Sequence, residues 1–300
     1  KAEAAMTKTL HHRACHLCEA ICGLNIEVSH APDGRASISA IKGDPQDPFS
    51  RGHICPKAVA LQDIQEDPDR LRQPHRRVGE RWEPIAWEGA FALAAERLWS
   101  IQQAHGRNAV AVYQGNPSVH NYGLMTHSNY FLGLLKTRNR FSATSVDQLP
   151  QHLTSHLMYG HGLLLPIPDI DHTDFMLILG GNPLASNGSI MTVPDVEKRL
   201  KALRARGGRL VVIDPRRSET AAMADQHLFI RPGGDAALLC GLLNTLFSEN
   251  LARGSHLPVN GLEQVREAIA PFTAQAMSPL CGIEAGQIRQ LARDFAAAGS

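Results

Sequence analysis

The stretch Phe175-Met-Leu-Ile-Leu-Gly-Gly-Asn-Pro183 decides the fold class, because a short apolar run passes directly into a glycine turn. Further candidate strands lie at 109–113, 210–213 and 228–230. Helical periodicity fills the intervals, and the candidate helices cover 87–104, 118–135, 150–159, 196–206, 236–249, 262–270 and 284–298. Strands that alternate with helices predict βαβ units around a mainly parallel sheet, and therefore an α/β fold.

Glycines and polar residues follow the predicted strands. They are Gln114-Gly-Asn116 after the first strand, Gly181 and Asn182 after the second, Asp214 and Arg216 after the third, and Gly233 and Asp235 after the fourth. In an open α/β sheet the ligand lies beyond the carboxyl ends of the strands. Glycines let backbone amides approach a phosphate, arginines neutralise it, and a carboxylate accepts hydrogen bonds from a purine. The pattern predicts a nucleotide site, with ordinary βα turns as the alternative. A G-x-G-x-x-G fingerprint is missing, which argues against simple NAD binding.

Four of the six cysteines lie in the first fifth of the chain: Cys15, Cys18, Cys22 and Cys55. If the first three were helical, about 100° per residue would place them within about 60° of arc. Disulfides suit a small secreted domain, which this long chain without a signal sequence is not. Structural zinc stays open, although four-sulfur zinc sites usually pair two short knuckles. A 4Fe–4S cluster accepts the three-plus-one arrangement and is the favoured interpretation.

The cysteines belong to a predicted small β-containing domain. Alternating residues at 25–28 and 37–41 flank Pro32-Asp-Gly34 and predict a β-hairpin. The proline- and arginine-rich segment 67–81 predicts a linker. We therefore predict three domains: an iron–sulfur domain at 7–74 and two parallel-sheet, dinucleotide-binding-like α/β regions at 75–145 and 146–300.

Composition excludes several classes of protein. The formal net charge of +1 gives no global field that would draw the chain to nucleic acid or an anionic membrane. With 43% hydrophobic and 20% charged residues, the composition is that of a globular protein. The most apolar stretch, 236–247, is shorter than the roughly 18 residues of a spanning helix, so no membrane span is predicted. The start of the sequence shows no apolar leader, which makes the cytoplasm the expected location. The end of the sequence, directly after an amphipathic run, suggests a fragment.

Six motifs resemble, in order, the amino-terminal part of the molybdopterin oxidoreductases, which are typified by formate dehydrogenase and periplasmic nitrate reductase. They are the cysteine triplet 15–22, Gly52-His-Ile-Cys-Pro-Lys57, Trp87-Glu-Gly-Ala90, Leu179-Gly-Gly-Asn-Pro183, Val212-Ile-Asp-Pro-Arg-Arg-Ser-Glu-Thr220 and Arg231-Pro-Gly-Gly-Asp-Ala-Ala-Leu238. The resemblance implies a 4Fe–4S cluster on Cys15, Cys18, Cys22 and Cys55. It implies that Lys57, otherwise a solvated surface lysine, bridges the cluster and the pterin.

The resemblance also implies molybdenum or tungsten between two molybdopterin guanine dinucleotides. One of these would be lined by Gly181, Asn182, Asp214, Arg216, Gly233 and Asp235. Members of the family continue into further domains that complete the second pterin site. A fragment of this length is therefore expected to be inactive alone.

The family's metal ligand falls in the segment 142–150, which contains no cysteine. One register places Asp147 at the ligand position and Gln148 where formate dehydrogenases carry histidine. A shift of two residues makes Ser145 the ligand. Oxygen ligands suit an oxidised metal. The alternative is that Ser145 and Asp147 cap the helix that starts near Pro150.

The leading functional prediction is a redox enzyme that acts on a small-molecule substrate. Its metal would perform the chemistry, and its cluster would pass electrons singly to a partner protein or subunit. A hydratase of the same architecture, in which the metal acts as a Lewis acid, is a second possibility. A non-catalytic relative of the large iron–sulfur subunit of respiratory complex I is a third, and Asp214-Pro-Arg216 argues against it.

Overall fold

The computed structural model describes residues 6–18, 20–188, 191–252 and 259–298 of the 300-residue chain. The described residues form two compact units. The first unit contains those up to Pro166 together with 191–194, and the second contains 167–188 and those from Asp195 onward. The α/β prediction is confirmed, whereas the predicted domain limits at 74 and 145 stay predictions.

The first unit begins with a three-stranded antiparallel sheet. It consists of β1 (Thr7–Ala14), β2 (Gly23–His30) and β3 (Ala36–Gly43), in the order β1-β2-β3. The predicted hairpin is confirmed as β2 and β3. The sequence did not indicate β1, because its side chains are almost all exposed and lack an apolar alternation. Leu24 and Ile41 are buried between this sheet and the cysteine segments.

Two short helices and a hairpin follow the sheet. The helices are α1 (Pro56–Val59) and α2 (Leu61–Glu66), and the hairpin joins β4 (His75–Val78) to β5 (Arg81–Pro84). The linker predicted at 67–81 is therefore wrong in its second half. Gly79 makes the turn with φ +60°, a left-handed conformation that glycine adopts without strain. The flanking side chains are mostly exposed, so no apolar alternation signalled the strands.

The remainder of the first unit is built around a small parallel sheet. Its elements are α3 (Trp87–His105), β6 (Val112–Gln114), α4 (Tyr122–Leu135), β7 (Arg140–Ser142) and α5 (Leu149–Tyr159). Strand β6 pairs in parallel with β7, with Val112 opposite Arg140 and Gln114 opposite Ser142. The segments that follow β6 and β7 therefore leave the same edge of the sheet.

The second unit contains a three-stranded parallel sheet in the order β10-β9-β8. Its elements are β8 (Phe175–Leu179), α6 (Pro183–Ser186), α7 (Val196–Ala205), β9 (Arg209–Ile213), α8 (Glu219–Met223) and β10 (Gln226–Leu228). The central strand is buried on both faces, since 210–213 are 0% exposed. The first predicted strand, at 109–113, corresponds to β6, which pairs with β7 in the first unit and is not part of this sheet.

Four helices complete the second unit: α9 (Asp235–Ser248), α10 (Leu262–Ile269), α11 (Ala274–Cys281) and α12 (Ala285–Ala297). Leu238 from α9 and Ile288 and Leu291 from α12 form one core with Val211 and Ile213 of β9. Burying each such side chain contributes about 1.5–3 kcal/mol. Helix α11 was not predicted from the sequence, because Pro279 lies inside it and proline disfavours a helix interior. Among the helices that the structure describes, none is long and apolar enough to cross a bilayer.

Candidate functional site

The first three cysteines lie in the loop between β1 and β2. The loop is closed by the backbone N–H of Cys15, which donates to the carbonyl oxygen of Cys22 at 2.8 Å. The backbone N–H of Ile21 donates to the carbonyl of Cys18 at 3.2 Å, and Ile21 has φ +48°. The helical arrangement considered for these cysteines is therefore wrong: a tight turn presents them, and the strand pairing on either side fixes its two ends.

Cys55 reaches the same region as the residue that precedes α1. Its carbonyl accepts the N–H of Ala58 at 3.0 Å, and Pro56 starts the helix with the φ that a first turn requires. The first loop of cysteines and this helix share one apolar cluster. Its members include Cys15, Cys22, Leu24, Ile41, Ala58 and Leu61, with Cys18 and Ile54 packed against it.

The loop that leads to Cys55 is anchored beside Cys22. The Asp47 carboxylate accepts hydrogen bonds from the N–H and the hydroxyl of Ser50, both at 2.6 Å. These bonds lower the pKa of Asp47 below its ordinary value. The Ser50 hydroxyl oxygen in turn accepts the N–H of Gly23 at 3.1 Å. A side chain at Gly43 would overlap the carbonyl oxygen of Gly52, so the loop lies directly against the end of β3.

The four thiols influence each other electrostatically. Burial raises the pKa of the Cys22 thiol to about 11, and negative charge on Cys15, Cys18 and Cys55 acts in the same direction. Burial likewise raises the pKa of Cys15, while Lys57 opposes the shift there. Four thiolates within electrostatic range of each other repel each other unless a cationic centre lies between them. Cluster iron supplies such a centre, so the donor set fits a 4Fe–4S cluster.

None of the six cysteines forms a disulfide. No group of three or more His, Cys, Asp or Glu side chains within the described ranges is arranged to hold a metal ion. The ligand assignment therefore rests on donor chemistry and the shared neighbourhood, and it stays a prediction. Lys57 is exposed, and its effect on Cys15 places its positive charge near the predicted cluster ligands.

In the second unit the three predicted turns come to one edge of the parallel sheet. Gly181 and Asn182 follow β8, Asp214 and Arg216 follow β9, and Gly233 and Asp235 follow the segment after β10. All three strands run in the same direction, so their carboxyl ends share that edge. This is the edge at which open α/β sheets bind ligands.

Asn182 connects two of these turns. Its Oδ1 accepts hydrogen bonds from the Thr220 hydroxyl at 2.7 Å and from the Thr220 N–H at 3.2 Å. Its Nδ2 donates to Oε2 of Glu219 at 2.6 Å. Glu219 has a pKa below its ordinary value, because its own backbone N–H, then Asn182, and also Arg216 stabilise the carboxylate. The amide of Asn182 therefore fixes the start of α8 against the end of β8.

Asp214 and Gly233 contribute shape and charge at the same edge. Asp214 is buried, and its Oδ1 accepts the N–H of Arg216 at 2.7 Å. Gly233 has φ +83°, a conformation that a residue with a side chain adopts only under strain. The exposed Arg216 and Asp235 place cationic and anionic side chains at the rim. The edge thus offers both the groups that neutralise a phosphate and those that pair with a base.

The segment 142–148 carries the predicted metal ligands. Ser145 and Asp147 are exposed, and neither caps α5, whose preceding residue is Gln148. The capping alternative is therefore wrong, and Ser142 caps a short 3₁₀ turn at Ala143–Val146 instead. Gln148 is half-buried, with its Oε1 lying 3.1 Å from Nε2 of His152. No sequence pattern pointed to His152.

These observations define the class: an α/β protein whose amino-terminal β-domain presents four cysteines ahead of a nucleotide-type sheet edge. The molybdopterin oxidoreductase model matches residues 70–279, and the model of the molybdopterin oxidoreductase Fe4S4 domain matches 9–67. The chain belongs to the molybdopterin oxidoreductase family. Its cofactors are accordingly a 4Fe–4S cluster and molybdopterin.

Individual relatives agree with the family. The chain is 27% identical over 295 residues to formate dehydrogenase H of Escherichia coli, covering 95% of this chain and 40% of the relative. It is 28% identical over 302 residues to a nitrate reductase of Klebsiella oxytoca, covering 98% and 32%. The solved structure of acetylene hydratase from Pelobacter acetylenicus superposes with a TM-score of 0.76 at 27% identity, covering 95% of this chain and 38% of that one. The chain therefore spans about two fifths or less of the length of these relatives.

Proposed function

We propose that this chain is the amino-terminal part of a molybdenum or tungsten oxidoreductase that holds its metal on two molybdopterin guanine dinucleotides. The single observation that supports this proposal most is the shared neighbourhood of the four amino-terminal thiols. Burial, together with negative charge on the other cysteines, raises the pKa of Cys15 and Cys22 and disfavours their ionised forms without a cationic partner. Cys15, Cys18, Cys22 and Cys55 would hold the cluster, and the positive charge of Lys57 would favour its reduced form.

The sheet edge of the second unit would bind one guanine dinucleotide. Arg216 would neutralise phosphate charge, and the Gly181 and Gly233 turns would let backbone amides approach it. The carboxylates of Asp214 and Asp235 are the candidates for pairing with the guanine. Asn182 would act indirectly, since its amide is already engaged by Thr220 and Glu219.

When bound, the metal supplies two-electron or oxygen-atom chemistry, and the cluster supplies single-electron transfer to a partner protein or subunit. The chain's own contribution near the metal would be an oxygen ligand, Asp147 or, in the shifted register, Ser145. Gln148 would offer an amide to the substrate. The substrate would be a small molecule, as the names of the relatives indicate for those enzymes.

The similarity to acetylene hydratase supports a second candidate function. In a hydratase the metal would polarise the substrate or a bound water without net electron transfer. Turnover of the purified enzyme in the absence of any electron acceptor would favour the hydratase. Strict dependence on an acceptor would favour the oxidoreductase.

The direct test is chemical analysis of the full-length protein. We expect iron, sulfide, guanine nucleotide, and molybdenum or tungsten in stoichiometric amounts. A Cys18→Ser variant should lose the visible absorption of the cluster, with Cys240→Ser, far from the quartet in sequence, as the control that retains it. Zinc in place of iron, or an unchanged spectrum in Cys18→Ser, would contradict the proposal.

A further inference from the structure

His120 is a buried histidine whose ring makes no hydrogen bond with the described residues. It lies between a 3₁₀ turn at Asn116–Val119 and the start of α4. The residue is 9% exposed to solvent. Both Nδ1 and Nε2 are buried without a partner in the described part of the chain. An imidazole carries at least one N–H donor, and its neutral form also carries an acceptor. Buried groups of this kind are normally paired, so an unpaired ring requires an explanation.

Three polar side chains of the same unit have hydrogen-bond partners. Asn121 caps α4 by accepting the N–H of Leu124 at 3.0 Å. The buried hydroxyl of Thr137 donates to the carbonyl of Val110 at 2.6 Å. The Arg140 guanidinium donates to the carbonyls of Leu132 and Thr137 at 2.8 and 3.2 Å. These three side chains are paired within the chain itself, whereas the ring of His120 has no partner among the described residues.

The topology places His120 on the ligand side of the small parallel sheet. It lies in the segment that follows β6, and the predicted ligands Ser145 and Asp147 lie in the segment that follows β7. Since β6 and β7 are parallel and in register, both segments leave the sheet at its carboxyl edge. A group bound beside Asp147 would therefore lie at the same edge of the sheet as the unpaired ring.

We propose that His120 binds the pterin of the molybdopterin cofactor through hydrogen bonds from its imidazole ring. The edge of a pterin alternates N–H donors with nitrogen and oxygen acceptors, which matches the donor and acceptor of a neutral imidazole. The depth of the ring favours a resident cofactor over a substrate that enters and leaves. The inference rests on the proposed function, because it assigns this residue to the cofactor of that site.

The test uses the full-length protein with His120→Leu and His120→Asn. Each is produced in a host that makes pterin and in one that does not. His120→Leu removes both ring nitrogens, whereas His120→Asn retains a donor and an acceptor. The exposed His105→Leu, at the end of α3, is the control. The readouts are the melting temperature of the cofactor-free protein and the fluorescence of released pterin per chain after gel filtration.

The two readouts should move in opposite directions. Without cofactor, His120→Leu should melt at a higher temperature than the wild type, because an unpaired buried ring has been removed. With cofactor, it should retain about tenfold less pterin per chain after gel filtration, and His120→Asn should restore part of the retention. His105→Leu should match the wild type in both assays.

Other results would overturn the inference. Equal pterin retention in His120→Leu and wild type contradicts it, as does a rise in KM with unchanged pterin content, which would make His120 a substrate group. A lower melting temperature of cofactor-free His120→Leu with unchanged retention would assign the ring to an internal water. Absence of pterin from the wild type would instead overturn the proposed function, and this inference with it.

Discussion

His152 links Gln148 to the loop that follows α5. Its Nδ1 lies 2.7 Å from the carbonyl oxygen of Gly162, which can only accept, so Nδ1 carries the proton. Its Nε2 lies 3.1 Å from Oε1 of Gln148, which can only accept. In the charged ring Nε2 carries a proton and donates to Oε1 in this orientation. In the neutral ring Nε2 accepts, so the Gln148 amide must turn over and donate from its NH₂.

We therefore expect His152 to position Gln148 beside the candidate ligand Asp147. His152→Asn places an amide near the former Nδ1, so it keeps the contact with Gly162 and loses Gln148. His152→Gln reaches toward Gln148 and loses Gly162. In steady-state kinetics of the full-length enzyme, His152→Asn should reduce kcat about tenfold or more at unchanged melting temperature. His152→Gln should retain more activity and melt lower. Equal kinetics in the two variants would contradict this role.

Gly43 determines whether the loop to Cys55 can close. A side chain at this position would overlap the carbonyl oxygen of Gly52, which is backbone and cannot move aside cheaply. We expect Gly43→Ala to lower the iron content of the protein at least severalfold, because Cys55 is displaced from the other cysteines. Gly89→Ala is the matched control, since Gly89 lies inside α3 with open space around its Cα. It should be neutral or slightly stabilising.

Gly43→Ala tests the ligand geometry independently of any cysteine substitution. Iron and sulfide are measured on protein purified without oxygen. If Gly43→Ala carried the wild-type amount of both, Cys55 would not need the observed loop conformation.

Lys57 should set the reduction potential of the cluster. Its positive charge acts on Cys15, and reduction adds negative charge to the cluster. Lys57→Gln should therefore lower the midpoint potential, whereas Lys57→Arg should keep it close to the wild-type value. Lys42→Gln in β3 is the control for charge loss elsewhere in the same sheet domain. Potentiometric titration monitored by electron paramagnetic resonance measures the midpoint potential of the cluster in all three variants. Equal shifts for Lys57→Gln and Lys42→Gln would contradict a specific effect.

The features that sequence analysis predicted correctly are those with a local signal. The apolar run of β9 is buried on both faces, and a continuous apolar run is the local pattern of such a strand. The features it missed depend on distant partners. Strand β7 has three residues and exists because it pairs with β6, and Asn182 meets Thr220 across 38 positions of sequence. The isolation of His120 is a property of the folded surroundings, which no spacing reveals.

The turn of the cysteine loop is another feature that depends on residues distant in sequence and that the local sequence did not predict. The spacing of Cys15, Cys18 and Cys22 is compatible with a helix, yet the three residues share one apolar cluster without forming a helix. The left-handed φ of Ile21 and the backbone hydrogen bond from the N–H of Cys15 to the carbonyl oxygen of Cys22 exclude a helix. Isoleucine rarely adopts that left-handed conformation, so the local sequence favours a helix over the observed turn. The pairing of β1 with β2 imposes the turn.

Asn182 should be essential for the stability of the sheet edge that we assign to the guanine dinucleotide. Asn182→Ala leaves the hydroxyl and N–H of Thr220 without their acceptor, and Thr220 is fully buried. An unpaired buried donor costs roughly 1–3 kcal/mol. Asn182→Asp keeps that acceptor but places a carboxylate against Glu219 in place of the donating amide. Both variants should melt below the wild type at neutral pH. In Asn182→Ala the reason is the unpaired Thr220 donors, and in Asn182→Asp it is the repulsion between two carboxylates.

The pH dependence distinguishes these two reasons. In the wild type the pKa of Glu219 is lowered, so its contribution to stability is present above its unfolded pKa and disappears as the pH falls through the folded value. In Asn182→Asp the facing carboxylates raise each other's pKa, so protonation at low pH relieves the repulsion. The difference in melting temperature between wild type and Asn182→Asp should therefore shrink as the pH falls from 7 toward about 4. Adding Glu219→Gln should restore stability at pH 7, because its amide can donate to the new carboxylate. A difference that stays constant with pH, or a double variant no more stable than Asn182→Asp, would show that Asn182 does not hold α8 through Glu219.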